Sequence, residues 1–395
     1  MNALSTWDSL AATELHPNKR MLGIQTSPNY LNQEVTPLNY FGIDVHDTYH
    51  KVCCLTPHGE VFEYDITNDE ESRAKLREIV AAHQPATVAM EACTGAYELH
   101  ALLDPVAEKV SLLHPGDFRT RFPKRGKKND RIDARALCEA ARMEVKGIWV
   151  PDEEIRQRRI LSTRRVSLTQ KRTAAMSSLK SLFREYNIPL PKSAWSDVGR
   201  DKLRARLDSF PETVMLCARL ELDLIEHFNE ALKEIDQRMA ELASDDRGIR
   251  LLMSIPGISY YSAFVITSEI GDILRFKSAK QLTAYAGLCP RLSQSGMSKA
   301  RLGSITKNGR ARLRWIVVEC ANSAILCNQK IQRLYWRVKK RSGCTSKAKV
   351  AAGRKLLCLC YHILKSGQLY SESIEEKHKA KLRKMEGVAK KRKAA

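Results

Sequence analysis

Two aspartates three residues apart, Asp130 and Asp133, stand in the stretch Lys127-Lys128-Asn129-Asp130-Arg131-Ile132-Asp133-Ala134-Arg135. If this stretch opens a helix, both carboxylates share one face and reach a common ion. Arg119, Arg121, Lys124, Arg125, Lys127, Lys128 and Arg131 crowd around them, and Asp130 is the only acid between Arg119 and Arg131. Carboxylates able to hold a divalent cation, set among cations able to hold phosphates, suggest metal-assisted chemistry on nucleic acid. A plainer reading fits the same residues: a helix start whose acids offset the helix dipole and pair with basic neighbours.

Two further acids bear on the choice. Asp44 lies inside the apolar run 41–45, and Glu91 closes the run Thr87-Val88-Ala89-Met90. An acid within an apolar strand is hard to explain as surface decoration, whereas one at a strand end can simply be solvated. The elements that position these acids follow in chain order. Three short strand-like runs, 40–46, 51–56 and 61–66, form a meander with a Pro57-His58-Gly59-Glu60 turn. Helical patterning over 69–83, a strand at 87–90, a helix at 97–103, a strand at 110–113 and a helix from about 130 to 142 follow. This β-β-β-α-β-α-β-α order is that of a ribonuclease H-like mixed sheet flanked by helices. Sites in such sheets form at the carboxyl ends of strands. Asp44, Glu91, Asp130 and Asp133 are thereby candidate ligands of one or two Mg²⁺ ions, since Mg²⁺ takes hard oxygen donors and clustered carboxylates repel one another without a cation.

The next pattern is a long basic helix. Between Glu154 and Glu185 no acid occurs, while nine Lys and Arg residues do, Arg164 and Arg165 among them. Like charges at this density repel unless something neutralises them, and nucleic-acid phosphates are expected to do so. A second long helix, about 212–244, carries Ile225, Phe228, Leu232, Ile235, Met239 and Leu242 in a 3-4-3-4-3 spacing, the seam of a coiled coil. The spacing leaves open whether it pairs within the chain or between chains. Ser254-Ile255-Pro256-Gly257-Ile258-Ser259 resembles a helix-hairpin-helix turn whose amides could face a phosphate. Then Ser293-Gln294-Ser295-Gly296 precedes Lys299, Arg301, Lys307, Arg310, Arg312 and Arg314, with no acid from 299 to 314. A loop serine amid such charge is a candidate nucleophile for a phosphodiester, provided a base, metal or cations activate it. The candidate is Ser295, and its neighbours Ser293 and Ser298 offer equal chemistry.

Composition agrees with a polyanion partner: 66 Lys and Arg against 45 Asp and Glu leave a net +21. Eleven cysteines include no CxxC pair, so reduced thiols are expected rather than a zinc site. No signal peptide is expected, and the apolar run 356–364 is too short to span a membrane. A cytoplasmic location follows as the expectation. No Walker-type phosphate loop is present.

These ordered motifs together resemble the DEDD-type insertion-sequence transposases, the family that includes the Piv invertase. The signatures are Gly42-Ile43-Asp44, Met90-Glu91-Ala92, Lys128-Asn129-Asp130-x-x-Asp133-Ala134, Ser254-Ile255-Pro256-Gly257-Ile258, and Ser293-Gln294-Ser295-Gly296 followed by Arg301-x-Gly303-x-Ile305-Thr306-Lys307-x-Gly309. The resemblance covers residues 39–320. It implies a RuvC-like domain with a metal-binding tetrad at Asp44, Glu91, Asp130 and Asp133, and a serine nucleophile at Ser295. One extra residue before Arg301 keeps Ser293 as the second choice. It also implies a homodimer or homotetramer on double-stranded element ends and target, with Mg²⁺ or Mn²⁺, and in some members a structured guide RNA. The expected divisions are a flexible arm 1–38, a RuvC-like domain 39–150, a coiled-coil arm 151–247, a mainly α transposase domain 248–370 and a mobile basic tail 371–395. The expected nucleic-acid contacts are Lys124, Arg125, Lys127, Lys128, Arg164, Arg165, Lys299, Arg301, Lys307, Arg310 and Arg312. A junction nuclease using water, and a non-catalytic nucleic-acid-binding protein, are the alternatives.

Overall fold

Apolar, β-branched runs set out the first sheet. The structure, a computed structural model, describes residues 38–123, 129–293 and 301–393. Strands β1 (Asn39–Val45), β2 (Tyr49–Leu55) and β3 (Val61–Thr67) form the antiparallel meander. Helix α1 (Glu70–Ala82) starts where the Asp69 side chain accepts from the Ser72 amide, and it buries Leu76 and Val80. Strand β4 (Ala86–Glu91) then runs parallel to β1, and after α2 (Ala96–Leu103) strand β5 (Lys109–Leu113) runs parallel to β4. The sheet order is β3-β2-β1-β4-β5. A short helix that the sequence patterning did not suggest, α3 (Pro115–Arg121), precedes α4 (Asp130–Arg142). The central strands are buried on both faces, so they read as continuous apolar runs rather than alternating ones.

Helix α4 lies on β1. Gly42 makes this approach possible: a Cβ there would sit 2.1 Å from both the Ala134 carbonyl oxygen and the Cys138 amide nitrogen. Arg131 and Arg135 of α4 tie it to Glu63 of β3, the latter at 2.6 Å.

The chain divides into two compact units between Val150 and Pro151. The second unit begins with α5 (Glu153–Glu185), α6 (Asp197–Leu207) and α7 (Glu212–Ser244). Helices α5 and α7 run antiparallel within one chain, as Arg165 with Asp236, Arg172 with Asn229 and Ser178 with Glu221 show. Ile225, Leu232 and Met239 of the expected seam are buried, and Phe228, Ile235 and Leu242 are half-buried. The far end has its own apolar cluster, in which Leu179 and Phe183 meet Leu203, Phe210 and Leu222.

The near end of α7 enters the main core of this unit. That core collects α8 (Arg247–Leu252), α9 (Tyr260–Ile270), α10 (Ala279–Tyr285), α11 (Ala311–Cys327), α12 (Gln329–Ser342) and α13 (Thr345–Ser366). Between α10 and α11 stand two paired strands, β6 (Pro290–Ser293) and β7 (Arg301–Ile305). The basic tail expected to be mobile instead forms α14 (Glu375–Lys393), with Met385 fully buried. Its apolar positions Leu382, Met385, Val388 and Ala389 follow helical spacing and join the core. The arm expected at 1–38 lies almost wholly outside the described residues. No described helix is long and apolar enough to cross a membrane.

Candidate active site

Strand β1 and helix α4 meet at an acidic cluster. Asp44 sits near the carboxyl end of β1, and Asp130 is the first residue of α4, whose start is capped by Asn129 accepting from the Arg131 amide. The close contact at Gly42 brings the strand end and the helix start together. One ligand atom from each of Asp44, His46 and Asp130 lies within 4.8 Å of the others. The His46 imidazole bridges the two carboxylates, 3.2 Å from Asp44 and 3.4 Å from Asp130. Tyr49, at the start of β2, donates its hydroxyl to Asp130 at 2.6 Å.

The electrostatics fit a cation. Burial pushes the Asp44 carboxyl above its usual range, His46 opposes this, and the charges of Asp133 and Asp130 push it further up. A positive ion among these groups removes the repulsion. Two carboxylates and one imidazole are donors that a divalent metal accepts. Asp133 thus stands close enough to act on Asp44 through its charge, one helical turn from Asp130. Glu91 does not join the close cluster among the described residues. It ends β4, the strand parallel to β1, and lies 3.6 Å from the Arg119 guanidinium of α3.

The second unit holds the serine hairpin. Ser293 pairs with Arg301 across β6 and β7, and residues 294–300 connect them. Ser295, Lys299, Lys124, Arg125, Lys127 and Lys128 lie outside the described residues. The hairpin base is locked to the segment after α10. The Thr306 amide donates to the Cys289 carbonyl, the Lys307 amide to Gly287, and the Arg310 amide to Tyr285. Gly287 and Gly309 adopt positive φ, and a Cβ on either would strike the opposite backbone within 2.3 Å. Just beyond this base, Arg310 donates to Glu269 at 2.7 Å, and Arg312 approaches the same carboxylate at 3.8 Å. Glu269 is buried in α9.

Two stretches of this chain match family models. Residues 249–336 match the model described as "Transposase IS116/IS110/IS902 family", and residues 41–188 match the DEDD model of the IS110 group, described as "Transposase". The second contains all four acids, the first the serine loop, and together they span well over half of the chain.

The chain belongs to the IS116/IS110/IS902 transposase family.

Similar proteins agree. The transposase for insertion sequence element IS1328 of Yersinia enterocolitica is 29% identical over 284 residues, 71% of this chain and 82% of its own. The transposase for element IS1111A of Coxiella burnetii is 25% identical, over 73% of this chain and 78% of its own. The pilin gene-inverting protein of Moraxella lacunata is 24% identical across 85% of this chain and 99% of its own.

Within this transposase several basic residues expected on phosphates have other partners. Arg165 donates to Asp236 at 2.5 Å and stacks 3.9 Å over the Tyr261 ring. Arg158 pairs with Asp246, and Arg159 donates to the Ser268 and Glu269 carbonyls. For Arg158 and Arg165 the charge is met by acids of the same chain. The neutralising acids lie some 70 to 90 residues away and reach α5 only through the antiparallel pairing. Arg164 and Lys307 are exposed, and Arg301 opens β7. The Pro-Gly turn also differs from expectation. Gly257, at φ +94°, packs against Ala324 of α11, and the amides of 254, 255 and 258 are bonded locally. Lys381 of α14 closes the turn from the other side, donating to the Met253 and Ile255 carbonyls.

Three site residues escaped the sequence reading: His46, Tyr49 and Glu269. His46 had a signal, since residues two apart on a strand point to one face, here that of Asp44. Glu269 is an acid in the apolar helix Tyr260-Tyr261-Ser262-Ala263-Phe264-Val265-Ile266 and onward, the same signal that marked Asp44. Tyr49 had none until the strand pairing was known.

Proposed function

We propose that this transposase cuts and rejoins double-stranded DNA at the ends of its element through a serine nucleophile, assisted by a ribonuclease H-like acidic site. The strand order β3-β2-β1-β4-β5, with β1 central and parallel to β4, supports that fold reading. Asp44 and Asp130 would hold Mg²⁺, or Mn²⁺ in its place, with Asp133 and Glu91 completing the tetrad. The ion, when bound, supplies charge stabilisation at a phosphate. Tyr49 orients the Asp130 carboxylate, and Arg119 of α3 offers positive charge beside Glu91.

The Ser295 hydroxyl oxygen forms a bond to phosphorus, and the bond from phosphorus to one deoxyribose oxygen breaks. The proton lost by the serine ends on the released hydroxyl. Attack by the hydroxyl of another strand reverses the step and joins it, so no external energy source is consumed. We further infer a homodimer or homotetramer acting in the cytoplasm, with a structured guide RNA as a second partner; the net +21 supports a polyanion of either kind.

The observation that carries this reading is the meeting of Asp44, from the central strand, with Asp130, from α4, in a chain that matches transposase models over residues 41–188 and 249–336. The test is a denaturing gel with labelled element-end DNA. A covalent protein–DNA adduct lost in Ser295→Ala and kept in Ser293→Ala supports it. Metal-dependent cutting that survives Ser295→Ala replaces it with a water-using nuclease. Asp130→Asn and Ser295→Ala variants that both cut, join and bind as the parent remove the catalytic assignment.

A further inference from the structure

We propose that the exposed face of α12 is a docking strip for single-stranded nucleic acid, with Trp336 stacking on an unpaired base and Arg333, Arg337 and Lys340 holding the phosphates on either side. This deepens the proposed function and rests on it only for the presence of a nucleic acid.

The strip begins in the sequence. From residue 320 to residue 371 the chain contains no Asp or Glu, yet it contains eleven Lys and Arg. This run builds α12 and α13. Helix α12 divides its residues sharply. Ile331 and Tyr335 are buried, and Leu334 and Val338 are half-buried beneath them. Arg333, Trp336, Arg337 and Lys340 follow an i, i+3, i+4, i+7 spacing and are all exposed. The Trp336 ring is 54% exposed, and Lys339 lies 4.7 Å from its centroid.

Charge decides what covers such a face. An exposed indole on a surface invites an apolar partner, but the exposed Arg333, Arg337 and Lys340 on the same helix face repel a second copy of this chain. A polyanion with its own flat rings satisfies both features at once. Bases in a duplex are stacked on each other and hide their faces, whereas an unpaired base can lie on the indole. Among the described residues, the ion pair from this run is Lys330 with Glu372, and the guanidinium groups of Arg333 and Arg337 have no acid within ion-pair distance.

The test is fluorescence anisotropy of the full-length protein with labelled oligo(dT), oligo(rU) and a mixed-sequence duplex across a salt series. Trp336→Ala weakens binding to at least one single-stranded probe by roughly tenfold, with little change on the duplex, and Trp336→Phe keeps most of the affinity. Replacing Arg333 and Arg337 together by Ala flattens the salt dependence by about 1.4 in log–log slope, while Trp336→Ala leaves the slope unchanged. Whether oligo(dT) or oligo(rU) responds tells a DNA strand from an RNA strand. The proposal falls if Trp336→Ala binds both strands as the parent does, or if it loses the duplex equally. It also falls if that variant changes the sedimentation of the free protein, which would make the face an interface between copies. Because cutting is not read in this assay, its failure leaves the serine and the acidic cluster untouched.

Discussion

Gly42 on β1 lies against the main chain of Cys138 on α4, with room for a hydrogen and nothing larger: an added Cβ would stand 2.1 Å from the Cys138 nitrogen. Asp44 follows two residues along the strand, and Asp130 stands two turns back along the helix, so this contact sets the spacing of the cluster. Gly42→Ala must push α4 off the sheet. The expected cost is about 1–3 kcal/mol from overpacking, read by urea denaturation. Strand cutting falls much further than stability does, because the carboxylates separate. A Gly42→Ala protein with parental cutting contradicts this account.

Asp44→Asn separates function from stability. The folded-state carboxyl of Asp44 is raised by burial and by Asp133 and Asp130. Its ionised form therefore costs folding free energy above that raised value, and the metal-free protein gains stability as pH falls through it. Asparagine removes the charge at every pH. In EDTA at neutral pH the variant melts higher than the parent, by about 2–4 °C for each kcal/mol relieved. Added Mg²⁺ then raises the melting temperature of the parent and not of the variant. A melting temperature in EDTA below the parent's counts against the reading.

Tyr49→Phe removes one hydroxyl and no bulk. Its hydrogen bond fixes one oxygen of Asp130, and loss of such a supporting contact typically weakens metal binding by about 10–100-fold. Titration calorimetry with Mn²⁺ reads this directly. Equal affinities in parent and variant would show that Asp130 needs no such support.

Much of the first unit was legible because its signals are local. The short apolar runs, the turn at Pro57-His58-Gly59-Glu60 and the helical pattern from Asp69 each lie within a few residues of the element they define, and the boundaries of α4 follow the same way. What was not legible depends on distant neighbours. The basic face of α5 reads as a phosphate track only while Asp236 and Asp246 are unknown as partners. The Pro-Gly turn reads as exposed until α11 and α14 are placed over it. The candidate site divides in the same manner: Asp44, Asp130 and Asp133 announced themselves by chemistry in unlikely surroundings, whereas Tyr49 comes from the next strand and only pairing brings it in.

Glu269→Gln keeps the shape of a buried side chain and removes its charge. Arg310 then loses the Glu269 carboxylate at the base of the serine hairpin, and Arg312 loses the same charge. Both arginines are partly open to water, so the expected loss is up to about 3 kcal/mol rather than that of a fully buried pair. A melt by circular dichroism measures it. Glu269→Asp recovers part of the loss; a glutamine variant as stable as the parent would show that the pair contributes nothing net.

The acid-free run through α12 and α13 has a kinetic side. Eleven cations with no acid among them in 52 consecutive residues carry about half as much charge as the whole protein's excess of 21. A charge so concentrated exerts torque as well as attraction on a molecule nearing a polyanion. The protein should turn this flank toward the strand before any surface touches, so that most collisions begin with one face forward. Orientation in flight is then a property written into the absence of a residue type, acid, over one eighth of the chain.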